Sequence, residues 1–284
     1  MNKKCYLCDG TEHIQRPGKV RDNPNLDIFE CVNCGLVTLS ETAIPQNFYE
    51  LSGMHGDNPL DIDEWLRQLE RDDLRRVEYL SDIITNTCVL DFGCGPGGFI
   101  LKARSKTKQV AGVELESRLA DHYSDNNLNV VQNINDLPEN QKFDLITAFH
   151  VVEHLEQPAT ILKELSSKLN PHGKIIIEIP SANDVLLTLY NSKSFSEFTY
   201  WSCHLFLFNA ANLKLLAKKA GLKLDFVDHV QRYPLSNHLH WLSKGAPGGH
   251  QKWSVLDSDD LSKAYEARLA SLGLTDTLIA SFSI

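Results

Sequence analysis

Three groups of residues have types and spacing suited to chemistry. The first is Val89-Leu90-Asp91-Phe92-Gly93-Cys94-Gly95-Pro96-Gly97-Gly98-Phe99, an apolar run that ends in an acid, a glycine-dense turn and an apolar helix start. Glycine admits the positive φ of a sharp turn and lets a ligand approach the main chain. The helix that follows offers unpaired N–H groups at its positive end. Gly93-x-Gly95-x-x-Gly98 also fits the dinucleotide fingerprint. Asp91 at the strand end would repel a pyrophosphate, however, and suits a cationic or hydrogen-bond-donating ligand group. The next strand, Gln109-Val110-Ala111-Gly112-Val113-Glu114, ends in an acid placed to take a ribose diol, a feature shared with NAD proteins. Together these residues predict a site for a nucleoside-containing cofactor.

The second group is Cys5-x-x-Cys8 with Cys31-x-x-Cys34, each pair closely followed by glycine, Gly10 or Gly35. In a reducing compartment such pairs suit tetrahedral zinc ligation, predicting a zinc ribbon. The other three of the seven cysteines, Cys88, Cys94 and Cys203, are scattered. The third group is His150-x-x-Glu153-His154, with His204 following in Tyr200-Trp201-Ser202-Cys203-His204. On a helix, residues 150, 153 and 154 share one face, so three ligand groups can converge. They suit acid/base work, a divalent metal, or plain packing. Histidine titrates where a hydroxyl acceptor needs its base. His154 and His204 are the first candidates, then His150, His238 and His240, with Tyr200 as an orienting hydroxyl.

Composition sets bounds on what these groups serve. The chain has 284 residues, 42% hydrophobic and 23% charged, enough for one ordinary domain and a smaller module. The net charge of −9 argues against broad nucleic-acid binding. No apolar run approaches the ~20 residues that span a bilayer, and the first residues lack a secretory signal; a cytoplasmic location is expected.

Elements able to position these groups can be read along the chain. Residues 1–40 form the zinc module, with acids and bases balanced. Residues 41–86 comprise a linker, broken at Pro45, Gly53, Gly56 and Pro59, and an amphipathic helix from Asp61 to Leu80. That helix is expected to cover the cofactor site and turn its Glu, Asp and Arg residues to solvent. Strands then alternate with helices over residues 87–284: Cys88–Phe92, a helix at Phe99–Ser105, Val110–Glu114, Val130-Val131, Phe143–Phe149, a helix within Glu153–Leu169 interrupted by Pro158, and Lys174–Ile179. A helix over Asn209–Ala220 and strands at Leu222–Val230 and Thr277–Ile284 complete the order. This predicts an α/β fold, a doubly wound Rossmann-like sheet, mainly parallel with the last strand antiparallel. Two insertions, 181–208 and 231–276, are expected to bind the acceptor. The second holds Arg232, Lys244 and Lys252 without an acid over Gln231–Trp253, with three histidines and two tryptophans. That mixture suits an acceptor bearing phosphate or carboxylate, with a sugar stacked on tryptophan.

The glycine turn, Glu114 and Phe143-Asp144-Leu145-Ile146-Thr147-Ala148-Phe149-His150-Val151-Val152-Glu153-His154 together resemble the class I S-adenosylmethionine (SAM) methyltransferases, over residues 87 to 230. The resemblance implies that Asp91, Gly93, Cys94, Gly95 and Glu114 hold SAM. It sets Asn133 and Asn135 near the adenine, and Phe149 and His150 at the methionine end. Pro96 departs from the pattern by removing one N–H donor. Related RNA and quinone-precursor methyltransferases bind a divalent metal with a glutamate in place of His150, which implies a second metal site at His150, Glu153, His154 and His204. The order of zinc ribbon, SAM domain and polar insertion looks like bacterial methyltransferases of surface-polysaccharide and modified-sugar biosynthesis. It implies O-methylation of a small sugar or sugar-phosphate-type acceptor, with an amino-sugar N-methyltransferase, an RNA or protein methyltransferase docked through the ribbon, and a noncatalytic SAM-binding scaffold as the alternatives.

Overall fold

A computed structural model describes residues 4–41, 48–49 and 59–284. The expected breakers Pro45, Gly53 and Gly56 lie outside the described residues. Three short strands, β1 (His13–Gln15), β2 (Ile28–Cys31) and β3 (Val37–Leu39), come first. Helices α1 (Ile62–Tyr79) and α2 (Ser81–Ile84) precede the alternating part: β4 (Cys88–Phe92), α3 (Gly98–Ala103), β5 (Gln109–Val113), α4 (Ala120–Asp125), β6 (Val130–Val131), β7 (Phe143–Phe149), α5 (Pro158–Ser166) and β8 (Leu169–Pro180). After these come α6 (Lys193–Thr199), β9 (Phe206–Leu207), α7 (Ala210–Ala220), β10 (Lys223–Val230), α8 (Leu235–Lys244), α9 (Gly249–Lys252), α10 (Asp259–Leu272) and β11 (Thr277–Ser283).

The larger sheet has the order β6-β5-β4-β7-β8-β11-β10. Strand β4 runs parallel to both neighbours, with Leu90 opposite Ala111 on β5 and Ile146 on β7, and β5 runs parallel to β6. Successive residues Val89-Leu90 and Leu145-Ile146 are all buried, so both faces of these strands are covered, as a parallel sheet requires. This is the mixed α/β, mostly parallel architecture expected from the alternation. Its central strands bring their C-terminal ends, Asp91, Val113 and Phe149, to the same side.

Contacts divide the chain into two compact units. One holds residues 44–151, 160–177 and 281–284, and the other 1–43, 152–159 and 178–280. The cysteine module, expected as a separate segment over 1–40, therefore groups with later parts of the chain. In that unit β1, β2, β3 and β9 form an antiparallel sheet, with Phe29 opposite Thr38 and Val37 opposite Leu207. Val20, Ile28, Val37, Leu39, Leu187, Tyr200 and Leu207 make its core.

Local departures have local causes. The helix expected from Glu153 starts at Pro158; residues 152–154 form a single 3-10 turn. Proline at the first helical position loses no hydrogen bond and has the right φ, so it opens this helix instead of interrupting one. The insertion at 231–276, expected as a loop, is largely helical. Among the described residues, no helix is long and apolar enough to cross a membrane.

Candidate active site

In the first unit the turn after β4 is built as its composition requires. Gly93, Gly95 and Gly97 have φ of +74°, +50° and +79°, conformations that cost other residues strain. The N–H groups of Gly93 and Cys94 both donate to the Val113 carbonyl, at 2.8 and 3.1 Å, which ties the turn to the end of β5. A Cβ on Gly93 would lie 2.4 Å from Val151, so the turn is also closely packed. From its far side, Tyr123 donates to the Gly95 carbonyl at 2.6 Å, and His122 bonds the Pro96 carbonyl at 2.9 Å.

Two carboxylates flank this turn. Asp91 is 2% exposed and accepts a 2.7 Å hydrogen bond from Thr147 on β7. Burial pushes its carboxyl up to about 7; Thr147 and Arg76 oppose the shift, and Asp73 and Glu114 add to it. Glu114 accepts from the Gly95 N–H at 2.8 Å and from the Glu116 N–H at 3.0 Å. A buried acid thus stands beside a turn of three left-handed glycines. Cys94 is buried, and its thiol is raised well above its ordinary value by burial and by the Asp91 and Glu114 charges. Asn133 and Asn135 sit at an exposed 3-10 turn over 134–136, where Asn133 and Asp136 form a reciprocal capping box.

Helix α1 contributes what the sequence reading assigned to solvent. Asp72, Asp73, Arg76 and Val77 are buried. Arg76 pairs with Asp73 at 3.0 Å and lies 4.5 Å over the Phe149 ring. Trp65 lies 3.4 Å from where a Gly95 Cβ would project, and Asp73 fills the space that a Cβ on Gly98 would need. Burial lifts the Asp73 carboxyl to about 6 against the pull of Arg76. The spacing of Trp65, Leu69, Asp73 and Arg76 marks one helical face; a buried ion pair on that face carries no hydropathy signal and was missed for that reason.

In the second unit Glu153, His154 and His204 each offer a ligand atom, all within 4.8 Å of one another. The His154 and His204 rings meet edge to face at 4.8 Å, and Trp201 stands 5.6 Å from His204 and 6.2 Å from His154. Glu153 is fully buried and His154 is 9% exposed. His150 falls outside this group, which corrects the expected helical triad. Its φ of +55° is left-handed, and the chain there is bent, so 150 cannot share a helix face with 153 and 154.

Two more expectations are corrected by burial. Tyr200, expected to orient an acceptor, is 1% exposed and belongs to the core around β1–β3. His238, also 1% exposed, bonds Tyr265 at 2.7 Å within a network that includes Gln231 and Asp276, and burial pushes its pKa down to about 4. His240 bonds the Ala246 carbonyl at 2.7 Å and packs on Trp253, while Trp241 packs between Phe195 and Phe198. The aromatics expected to stack a sugar are thus engaged in packing.

The four paired cysteines converge. Cys5 and Cys34 sulfurs are 3.5 Å apart, as are those of Cys8 and Cys31, and no disulfide joins them. Both hairpins share one pattern. Cys5 N–H donates to Gly10 and Asp9 N–H to Cys5, as Cys31 N–H donates to Leu36 and Gly35 N–H to Cys31. The residue after each second cysteine is left-handed, Asp9 at +57° and Gly35 at +72°. Four sulfurs at such separations are compatible with tetrahedral S4 coordination at a bond length of about 2.3 Å.

Residues 65–226, more than half of the chain, match the methyltransferase-domain family. The chain belongs to that family and is a SAM-dependent methyltransferase, an enzyme. It is 27% identical over 179 residues to a ubiquinone biosynthesis O-methyltransferase of Coxiella burnetii, covering 58% of this chain and 76% of the relative. A relative of the same name from Xanthomonas euvesicatoria is 25% identical over 185 residues, 60% of this chain and 77% of its own. Among solved structures, a SAM-dependent methyltransferase of Archaeoglobus fulgidus superposes with a TM-score of 0.51 at 21% identity, covering 76% of this chain and 93% of that one. One from Thermotoga maritima gives 0.50 at 18% identity, covering 78% and 95%. The relatives' names overturn the expected sugar or sugar-phosphate acceptor and its alternatives in glycan chemistry, because they point to quinone-type small molecules. The polar insertion that suggested sugars folds instead as a helical pack.

Proposed function

We propose that this methyltransferase O-methylates a small hydroxylated aromatic acceptor of the quinone-precursor type. The observation that carries the reading is the cluster of Glu153, His154 and His204 beside Trp201, only a few residues after Phe149 along the chain. Similarity to ubiquinone biosynthesis O-methyltransferases supports the acceptor class.

In this reading Asp91 receives the cofactor's ammonium group, Glu114 its ribose hydroxyls, and the Gly93–Gly95 backbone, with Cys94, shapes the floor. Arg76 and Phe149 border the amino-acid end, and Asn133 and Asn135 the adenine. The bound cofactor supplies an electrophilic sulfonium methyl. The protein's own task is then to align an oxygen nucleophile and to take its proton. Aromatic hydroxyls titrate near 10, as tyrosine does, and histidine near 6.5 is a competent base for them. His154 or His204 takes the proton, the new oxygen–carbon bond forms as the sulfur–carbon bond breaks, and the buried Glu153 carboxylate stabilises the resulting imidazolium.

The carboxylate and two imidazoles also fit a divalent metal as a donor set, without His150. Such an ion would hold acceptor oxygens and lower their pKa. Cys5, Cys8, Cys31 and Cys34 form a structural zinc ribbon within residues 1–40, which implies a reducing, cytoplasmic setting. Residues 87–284 carry the methyltransferase domain.

With SAM and catechol as substrates, His154→Ala should lower kcat by about 100-fold or more, the usual worth of general base catalysis. Affinity for S-adenosylhomocysteine should stay within about threefold of wild type. If both His154→Ala and His204→Ala keep full kcat, the assigned base is wrong.

A further inference from the structure

Arg21 lies between the two cysteine pairs in the sequence, and the chemistry assigned so far does not use it. Its guanidinium carbon lies 4.5 Å over the Trp201 ring and 5.4 Å from the centre of Phe198. Both contacts hold the group against these rings through cation–π attraction. Its backbone is fixed too, since the Arg21 N–H donates to the Tyr200 carbonyl at 3.0 Å. The neighbouring Asp22 carboxyl feels the Arg21 charge but forms no ion pair with it. Asp22 accepts from Ser202 twice, from the N–H at 2.9 Å and from the hydroxyl at 2.5 Å, which locks residues 200–202 beneath Arg21. Among the described residues the Arg21 side chain makes no ion pair and donates no hydrogen bond, yet it is exposed. A guanidinium seated on an indole, with its N–H donors outside any hydrogen bond, can bind a planar anion through two parallel N–H···O bonds.

Its position gives that anion a role. Trp201, which carries Arg21, is the same ring that stands beside His154 and His204. One indole therefore separates an unspent cation from the proposed base. We infer that Arg21 is a specificity-determining residue, binding a carboxylate on the acceptor while the hydroxyl to be methylated lies at the histidine pair. The acceptor is then an acidic hydroxyarene, and the cysteine module supplies one of its binding groups. The inference rests on the functional reading above for the location of the reacting hydroxyl.

Calorimetry on the full-length protein saturated with S-adenosylhomocysteine tests this, with 3,4-dihydroxybenzoate and catechol as paired probes. Hydrogen bonds to a charged partner are worth enough to give the acid about a tenfold or greater advantage over catechol in the wild type. Arg21→Ala should bring the ratio of the two affinities close to one, and Arg21→Lys, which keeps the charge without the fork, should fall between. Retained S-adenosylhomocysteine binding verifies that the variants are folded. A wild type without preference for the acid, no detectable binding of the acid, or an unchanged ratio in Arg21→Ala would each overturn the inference. Turnover separates the two levels of the account. Methylation of both probes with an Arg21-independent ratio overturns the role of Arg21 alone, whereas binding without methylation of either overturns the functional reading and, with it, the location of the reacting hydroxyl.

Discussion

Asp91 shows how one residue's environment sets its use. Its acid form is favoured because the carboxyl is buried, and only Thr147 and the Arg76 charge offset that cost. The folded pKa of about 7 stands above the ordinary 3.8, so the folded state binds the proton more tightly than the unfolded chain. This contribution to stability is present at low pH and is lost as pH rises from about 4 to 7, opposite in sign to an ion-paired aspartate. Without cofactor, thermal stability of the wild type should therefore decline across that window relative to Asp91→Asn. With Asp91 in its proposed role, cofactor binding should have the reverse dependence, because an ammonium group prefers the ionised acid. Affinity for S-adenosylhomocysteine should fall up to about tenfold per pH unit below 7 in the wild type and lose this slope in Asp91→Asn. A pH-independent wild-type affinity over pH 5–8 would contradict the assignment. The place of Asp91 and Glu114 at the turn was legible because a strand end and a glycine turn announce it. Tyr200 and His238 were misread because their residue types suit catalysis, whereas burial is decided by distant segments. Asp73 and Arg76 went unrecognised for the converse reason: charged residues on an amphipathic helix look solvated until the partner that buries them is known.

At the scale of elements, the cysteine hairpins are self-contained in their local pattern but not in their packing. Strand β9, only two residues long, completes the β1–β3 sheet, and Asn209 donates to the Gly35 carbonyl at 3.3 Å. Tyr6, inside the first pair, accepts from the Ala159 N–H at 3.1 Å. The hairpins thus contact the chain shortly after each part of the histidine cluster, at Ala159 and at 206–209. Metal analysis should find about one zinc per chain in the wild type and loss of that zinc in Cys31→Ser, with a lower melting temperature. Full zinc content in the variant would refute the four-cysteine site. The long alternating strands were readable from apolar runs bounded by turns, and so was α1 from its periodicity. Two residues of β9 carry no period at all. The helices in 231–276 were hidden by Gly245, Gly248 and Gly249, which read as loop; in the structure Gly245 ends α8 and Gly248 and Gly249 open α9.

Many acceptor chemistries share the methyltransferase fold, so the side chains around a site, not the fold, choose among them. Fold and cofactor class followed from residues 87–230, where repeated strand and helix patterns constrain each other. Acceptor class did not follow, because polar, aromatic insertions have the same composition whether they bind a sugar or pack as helices. The proposed methyl acceptor is an aromatic hydroxyl. Incubating the protein with SAM labelled with carbon-13 at its methyl, together with catechol, 3,4-dihydroxybenzoate and nucleotide-sugar pools, and reading the products by NMR, tests it most directly. Label is expected in an aryl methyl ether and none in the sugars. Label on a sugar, on nitrogen or on ring carbon, with no aryl ether formed, would contradict it.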